Sequence, residues 1–232
     1  MSAPHATHAG GGVVCIASWN ADLVSRIARP LARGETLMAS GFSISPGGKG
    51  SNAAVAAARQ GARVALVARI GDDDFGRMGL DLWRAEGIAT AHVVRAPGER
   101  SGVAQILVYD DGDNSIAVAP GAGAGLDAVH VQAAADTLRQ AKVVMASCEV
   151  PLAATLAAFR IARDAGVTTL LNPAPAMPLP DALLELTDLL TPNESELRVL
   201  AGLPSTAAPQ EAARLLQRRG AGAVAVTLGA RG

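Results

Sequence analysis

From about residue 13 onward, short apolar runs alternate with longer alanine-rich or amphipathic stretches. The runs "VVCIAS" (Val13–Ser18), "RVALVARIG" (Arg63–Gly71), "KVVMASC" (Lys142–Cys148), "VTTLLN" (Val167–Asn172), "DLLTPN" (Asp188–Asn193) and "AVAVTLG" (Ala223–Gly229) predict buried strands. Between them, "SNAAVAAARQ" predicts a helix capped at Ser51 or Asn52 and stopped at Gly61. A second helix, Asp74–Gly87, carries Phe75, Met78, Leu82 and Trp83 along one face. Further helices are expected over Asp127–Gln140, Leu152–Ala165, Ser195–Ala201 and Pro209–Arg219. This alternation predicts a doubly wound, mostly parallel α/β sheet with helices on both faces. Two stretches depart from it. "ETLMASGFSIS" (Glu35–Ser45) reads as a half-exposed strand, and Ser101–Gly121 reads as two strands around the turn "DDGDN". They predict a small antiparallel β addition within about 19–46 and 93–120, on one α/β domain spanning 13–232. Residues 1–12 read as a flexible tail.

Composition narrows the function classes. Half of the 232 residues are apolar, only 18% are charged, and the net charge is −1. Acids and bases are mixed along the chain, and aromatics make up 3% of residues. Neither a basic patch nor a base-stacking platform marks a nucleic-acid surface. The N-terminus lacks a basic segment before an apolar run, and no apolar run reaches bilayer length. A soluble, cytoplasmic protein without membrane contact is therefore expected. Cys15 and Cys148 each lie in a predicted strand and read as buried, reduced thiols. The four histidines lack metal-ligand spacing.

In open α/β sheets, ligands bind beyond the carboxyl ends of the strands. Polar residues collect there: Asn20 and Asp22 in "WNAD", the "PGGKGSN" loop, "GDDDFG", Glu149, Asn172, Asn193, Glu196 and Thr227. Turn chemistry explains any one of them, but less readily the set. "SISPGGKGSN" is not a P-loop: Ser43 stands where the first glycine belongs, and Gly50 follows Lys49. "PGAGAG" (Pro120–Gly125) is an incomplete dinucleotide fingerprint, with Leu126 at the last glycine position. A nicotinamide-dependent dehydrogenase is thereby ranked low. The lysine loop instead offers close backbone approach, exposed N–H groups, a point charge at Lys49 and an amide at Asn52. With Asn20, Asp22 and Glu149, these suit a ligand with several hydroxyl groups, such as a sugar.

"GGKGSNAAVAAARQGARVALVARIGDDDFG", "SWNAD", "NPAPAMPLPDALLELTDLLTPNESEL" and "VTLGARG" together resemble the ribokinase-like (PfkB-type) carbohydrate kinases, over about Val13–Gly232. The resemblance implies ATP-dependent phosphorylation of a sugar with Mg²⁺. Its narrower features imply D-ribose, giving D-ribose 5-phosphate; another sugar or a nucleoside is the alternative within the family. It implies sugar contacts at Asn20, Ala21, Asp22, Gly48, Lys49, Gly50, Ser51, Asn52 and Glu149. It implies ATP contacts at Asn193 and at Thr227, Leu228, Gly229, Ala230, Arg231 and Gly232. Glu196, in an Asn-x-x-Glu motif, would organise Mg²⁺ through water. The β addition would be a lid and a homodimer contact. Family members carry a later Gly-Ala-Gly-Asp segment with the catalytic aspartate, and no stretch up to Gly232 matches it. The potassium site and adenine pocket would lie mostly in that same part. The chain is expected to be part of a longer enzyme; the alternative is a non-catalytic, truncated sugar-binding protein. Residues 1–232 alone are expected to give no turnover with ribose, ATP and Mg²⁺.

Overall fold

A computed structural model describes residues 12–204 and 206–231. The expected tail over 1–12 lies almost wholly outside the described residues. Two sheets share the chain. The first is seven-stranded and parallel throughout, built from β1 (Val13–Ala17), β4 (Val64–Gly71), β5 (Ala89–Ala96), β8 (Val143–Ser147), β9 (Thr168–Asn172), β10 (Leu189–Leu190) and β11 (Ala223–Val224). Its spatial order is β11-β10-β9-β8-β1-β4-β5, so the chain reverses its winding beside β1. The second sheet has the order β3-β2-β6-β7, from β2 (Asn20–Arg26), β3 (Gly41–Gly47), β6 (Gly102–Val108) and β7 (Asn114–Ala119).

Helices cover both faces of the large sheet, as expected. Successive residues of β1 point to opposite sides. Val14 and Ile16 join a core under α3 (Ala128–Ala133), α4 (Ala135–Arg139), α5 (Leu152–Asp164), α6 (Asp181–Leu184), α7 (Glu194–Ala201) and α8 (Pro209–Arg218). Cys15 and Ala17 join a second core under α1 (Lys49–Arg59) and α2 (Asp74–Ala85). The two cysteines are free, buried and assigned to different cores, as their apolar settings predict. Burial pushes the Cys15 thiol up to about 12. The Cys148 thiol is raised to about 11 by burial and then by the Glu196 charge.

Several sequence expectations need correction. The second sheet is mixed, because its central pair β2–β6 is parallel while β2–β3 and β6–β7 are antiparallel. Asn20–Asp22 belong to strand β2, not to a loop after β1. The strand expected at Glu35–Ser45 begins only at Gly41 and ends at Gly47. Residues 93–96 belong to β5, an edge strand of the large sheet, and not to the lid. The expected helix over Asp127–Gln140 breaks at Ala134 (φ −100°, ψ 8°), and both pieces pack against α5. The last two strands are only two residues long, and Pro192 supplies a carbonyl but no donor to continue the ladder.

Helix α2 buries Gly76, Gly79, Leu80 and Trp83, with Phe75, Met78 and Leu82 only half-buried. The buried stripe is rotated toward the glycines because the helix lies directly on Trp19: a Cβ at Gly79 would stand 2.8 Å from its ring. Trp19 and Trp83 meet edge to face at 5.4 Å, and Trp19 Nε1 donates to the Phe75 carbonyl at 3.0 Å. This contact fixes the chain where it leaves β1 for β2.

Candidate active site

The sugar-site candidates come together where β1, β3 and β8 end. Gly48 is the N-cap of α1 at φ +90°, a conformation costly for any residue with a Cβ. A Cβ there would also stand 2.6 Å from the Ser18 carbonyl. Glycine thus lets the "GGKG" turn lie against the end of β1.

Ser18 and Glu149 then bind the turn. Ser18 Oγ donates to Glu149 Oε2 at 2.7 Å and accepts from Gly50 N at 3.1 Å. Lys49 N donates to the same Glu149 oxygen at 2.7 Å. Ser51 N reaches the Ser18 carbonyl at 3.2 Å, and Asn52 N reaches the Gly48 carbonyl at 2.9 Å. The backbone donors of residues 49–52 are therefore engaged within the protein. The expected cradle of exposed N–H groups does not form, because the Glu149 carboxylate already occupies the helix N-terminus. What the loop presents outward is the exposed side chains of Lys49 and Asn52. Ser51 does not face the cleft: its buried hydroxyl accepts from Trp83 Nε1 at 2.8 Å.

Asn20, Ala21 and Asp22 open β2 between β3 and β6, in register with Gly47, Pro46 and Ser45 on one side and Gly102, Val103 and Ala104 on the other. Asn20 and Ala21 are buried and Asp22 is half-buried. The Asp22 carboxylate rests against Gly47, whose Cβ, if present, would fall on it. Burial, and then the charge of Glu149, raise its pKa above the ordinary aspartate value. Among the described residues no side chain or amide donates to it, and none donates to Glu149 Oε1. Two neighbouring carboxylates with unfilled acceptor positions suit paired hydroxyl donors.

A second cluster lies at the ends of β10 and β11. Asn193 and Glu196 form a reciprocal capping box on α7, with Glu196 N to Asn193 Oδ1 at 2.8 Å and Asn193 N to Glu196 Oε2 at 2.9 Å. The Asn-x-x-Glu spacing is thereby explained as helix-start chemistry, and Asn193 is an exposed residue. Asn193 bridges Thr227 in parallel, and Thr227 N donates to the Pro192 carbonyl at 3.0 Å. Leu228 is half-buried, and Gly229–Arg231 form an exposed 3-10 turn in which Arg231 pairs with Glu194 at 2.7 Å. Gly232 lies outside the described residues. The Glu196 charge contributes, after burial, to raising the thiol of Cys148, the sequence neighbour of Glu149.

Next to the Lys49 turn a cavity of about 440 Å³ opens, lined by Lys49, Asn52, Ser147, Asn172 and Thr191 together with the apolar Cys15, Met145 and Leu170. Asp22, Glu149, Asn193 and Glu196 are not among its lining residues. Ser18 is the site residue that sequence reasoning missed. Its signal was available: it ends the apolar run "VVCIAS" and begins "SWNAD", so its hydroxyl falls at a strand's carboxyl end.

A parallel α/β sheet, a small second sheet, and an Asp22 carboxylate and Glu149 Oε1 that accept no hydrogen bond among the described residues mark the candidate site. The pattern of the pfkB family carbohydrate kinases matches residues 11–232, and the chain belongs to that family. It is 38% identical over 219 residues to the ribokinase of Haemophilus influenzae, covering 94% of this chain and 72% of that protein. It is 34% identical over 223 residues to the deoxyribokinase of Salmonella typhi, covering 95% and 73%. Against the bifunctional ribokinase/ribose-5-phosphate isomerase A of Fructilactobacillus sanfranciscensis it is 37% identical over 223 residues, 95% of this chain and 41% of that one. The structure of Arabidopsis thaliana ribokinase complexed with ribose and ATP superposes with a TM-score of 0.88 at 28% identity, covering 97% of this chain and 74% of that one. The chain is thus shorter than each of these relatives.

Proposed function

We propose that this chain binds D-ribose for ATP-dependent phosphorylation to D-ribose 5-phosphate. The observation that carries the reading is the half-buried Asp22 carboxylate, without a protein donor and raised in pKa beside Glu149. A ribose ring supplies vicinal O–H donors to both carboxylates and relieves that cost. Asn20 and the exposed Lys49 and Asn52 side chains bound the same hydroxyl-binding region. Asn193 Nδ2 and the Thr227–Arg231 segment face the nucleotide phosphates. Glu196 has one oxygen engaged by Asn193 N. Mg²⁺ keeps waters and substrate phosphates as ligands, so a single carboxylate acting through water fits it. When bound, the ion neutralises charge on the transferring phosphoryl group. Asp22 and Glu149 are assigned to holding hydroxyls, and the base to the family's Gly-Ala-Gly-Asp segment. Homodimerisation through the lid belongs to the same proposal, supported by exposed Phe42 and Ile44 on one lid face; a monomer in sedimentation velocity would remove it.

Calorimetric titration with ribose, 2-deoxyribose and fructose tests the sugar assignment. Ribose is expected to bind tightest, and a preference for 2-deoxyribose would transfer the assignment to that sugar. Because the backbone of the "GGKG" turn is engaged internally, Lys49→Ala is expected to weaken ribose binding more than ATP binding. A loss confined to ATP would show that the turn serves the nucleotide.

A further inference from the structure

The "GDDDFG" turn after β4 belongs to neither cluster, yet it is bonded to the chain where the lid begins. Asp73 is the N-cap of α2 and accepts from Gly76 N at 2.8 Å. A cap needs only that bond. Asp73 makes two more, to a residue 28 positions away: Oδ2 accepts from Ser101 N at 2.9 Å, and Oδ1 from Ser101 Oγ at 2.7 Å. Ser101, itself buried, accepts from Gly71 N at 3.0 Å through the same hydroxyl. Burial would raise the Asp73 carboxyl, but these bonds and the nearby Arg100 charge outweigh it and hold the group below its ordinary range.

Ser101 is the last residue before β6, and its neighbour Gly102 pairs in register with Asn20. The packing there is tight: a Cβ on Gly102 would stand 2.6 Å from the Trp19 carbonyl. The return crossing is tied to the same point, because Ala122 N donates to the Arg100 carbonyl at 2.8 Å. The crossing from β1 to β2 is held one residue into α2 by the Trp19–Phe75 bond. Three passages between the sheets thus converge on the first turn of α2.

We propose that Asp73 is a positioning residue that, through Ser101, sets the lid strands β6 and β2 and with them the sugar-contacting Asn20 and Asp22. The sugar part of this rests on the ribose reading; the positioning of the strands does not. The discriminating variant is Asp73→Ser, because serine caps a helix about as well as aspartate but is too short to span to Ser101. Amide hydrogen exchange on the full chain reads the strands, and calorimetry reads ribose affinity. Expected are faster exchange confined to residues 20–26 and 102–108, unchanged exchange in β8 and β9, and ribose binding weakened about tenfold or more. Ser101→Ala, which keeps both the carboxylate and the cap, is expected to act in the same direction, and the double variant to be no worse than Asp73→Ser. Wild-type exchange in β2 and β6 of both variants would overturn the proposal. So would an increase spread equally over both sheets. If the unmodified protein binds no ribose, the functional reading fails, while the exchange pattern still decides the role of Asp73.

Discussion

Asp22→Asn is expected to weaken ribose binding about 30- to 1000-fold while leaving the sugar-free protein at least as stable as before. The loss follows from replacing a charged acceptor of hydroxyl hydrogen bonds by a neutral amide. The stability effect follows from the raised pKa. Burial and then the Glu149 charge disfavour ionised Asp22 in the folded state. A carboxyl group raised on folding costs nothing below its unfolded pKa, and its cost is fully present once pH exceeds the folded pKa. The melting temperature of Asp22→Asn should therefore equal or exceed that of the parent at pH 7, with the advantage vanishing below about pH 4. Thermal melts at the two pH values and ribose calorimetry check both halves. Unchanged ribose affinity would remove Asp22 from the site.

The second large effect is expected at Glu149, where two roles overlap. One oxygen holds the "GGKG" turn through Ser18 and Lys49 N, and the other is open to a ligand. Glu149→Gln keeps a carbonyl oxygen able to accept both bonds, so the turn should persist while ribose binding falls about tenfold or more. Glu149→Ala should abolish detectable ribose binding and also lower stability by about 1–3 kcal/mol, since the Ser18 hydroxyl and the Lys49 amide lose their acceptor. Urea unfolding separates the variants. Normal ribose binding by Glu149→Ala would leave Glu149 only its role at the start of α1.

Six strands of the large sheet were legible because they are dense apolar runs bounded by Gly, Asp and Asn. Helix α1 was legible from its alanine propensity and the Gly61 stop, but it starts at Lys49 on the N-cap Gly48, not at the expected cap Ser51 or Asn52. The lid was less so. "NADLVSR" mixes polar and apolar residues and pairs on both sides, so strand β2 hid behind turn-forming residues. The edge strand β5, only half-buried along most of its length, carries His92 and Arg95 and went unread for the same reason. In the site, the side-chain types pointed to hydroxyl chemistry. Sequence could not show that Glu149 fills the helix N-terminus, because that bond joins Lys49 to a residue 100 positions later. Nor could it show that Ser51 faces Trp83.

The most direct measurement is a ribose titration followed by amide chemical shifts of the isotope-labelled chain, repeated with ATP and Mg²⁺. Ribose is expected to move the amides of Asn20, Ala21, Asp22, Gly47, Gly48, Lys49 and Glu149, and ATP those of Asn193, Glu196 and Thr227–Arg231. Ribose shifts absent from the first group, or confined to the second, would contradict the assignment of Asp22 and Glu149 as the sugar-binding pair.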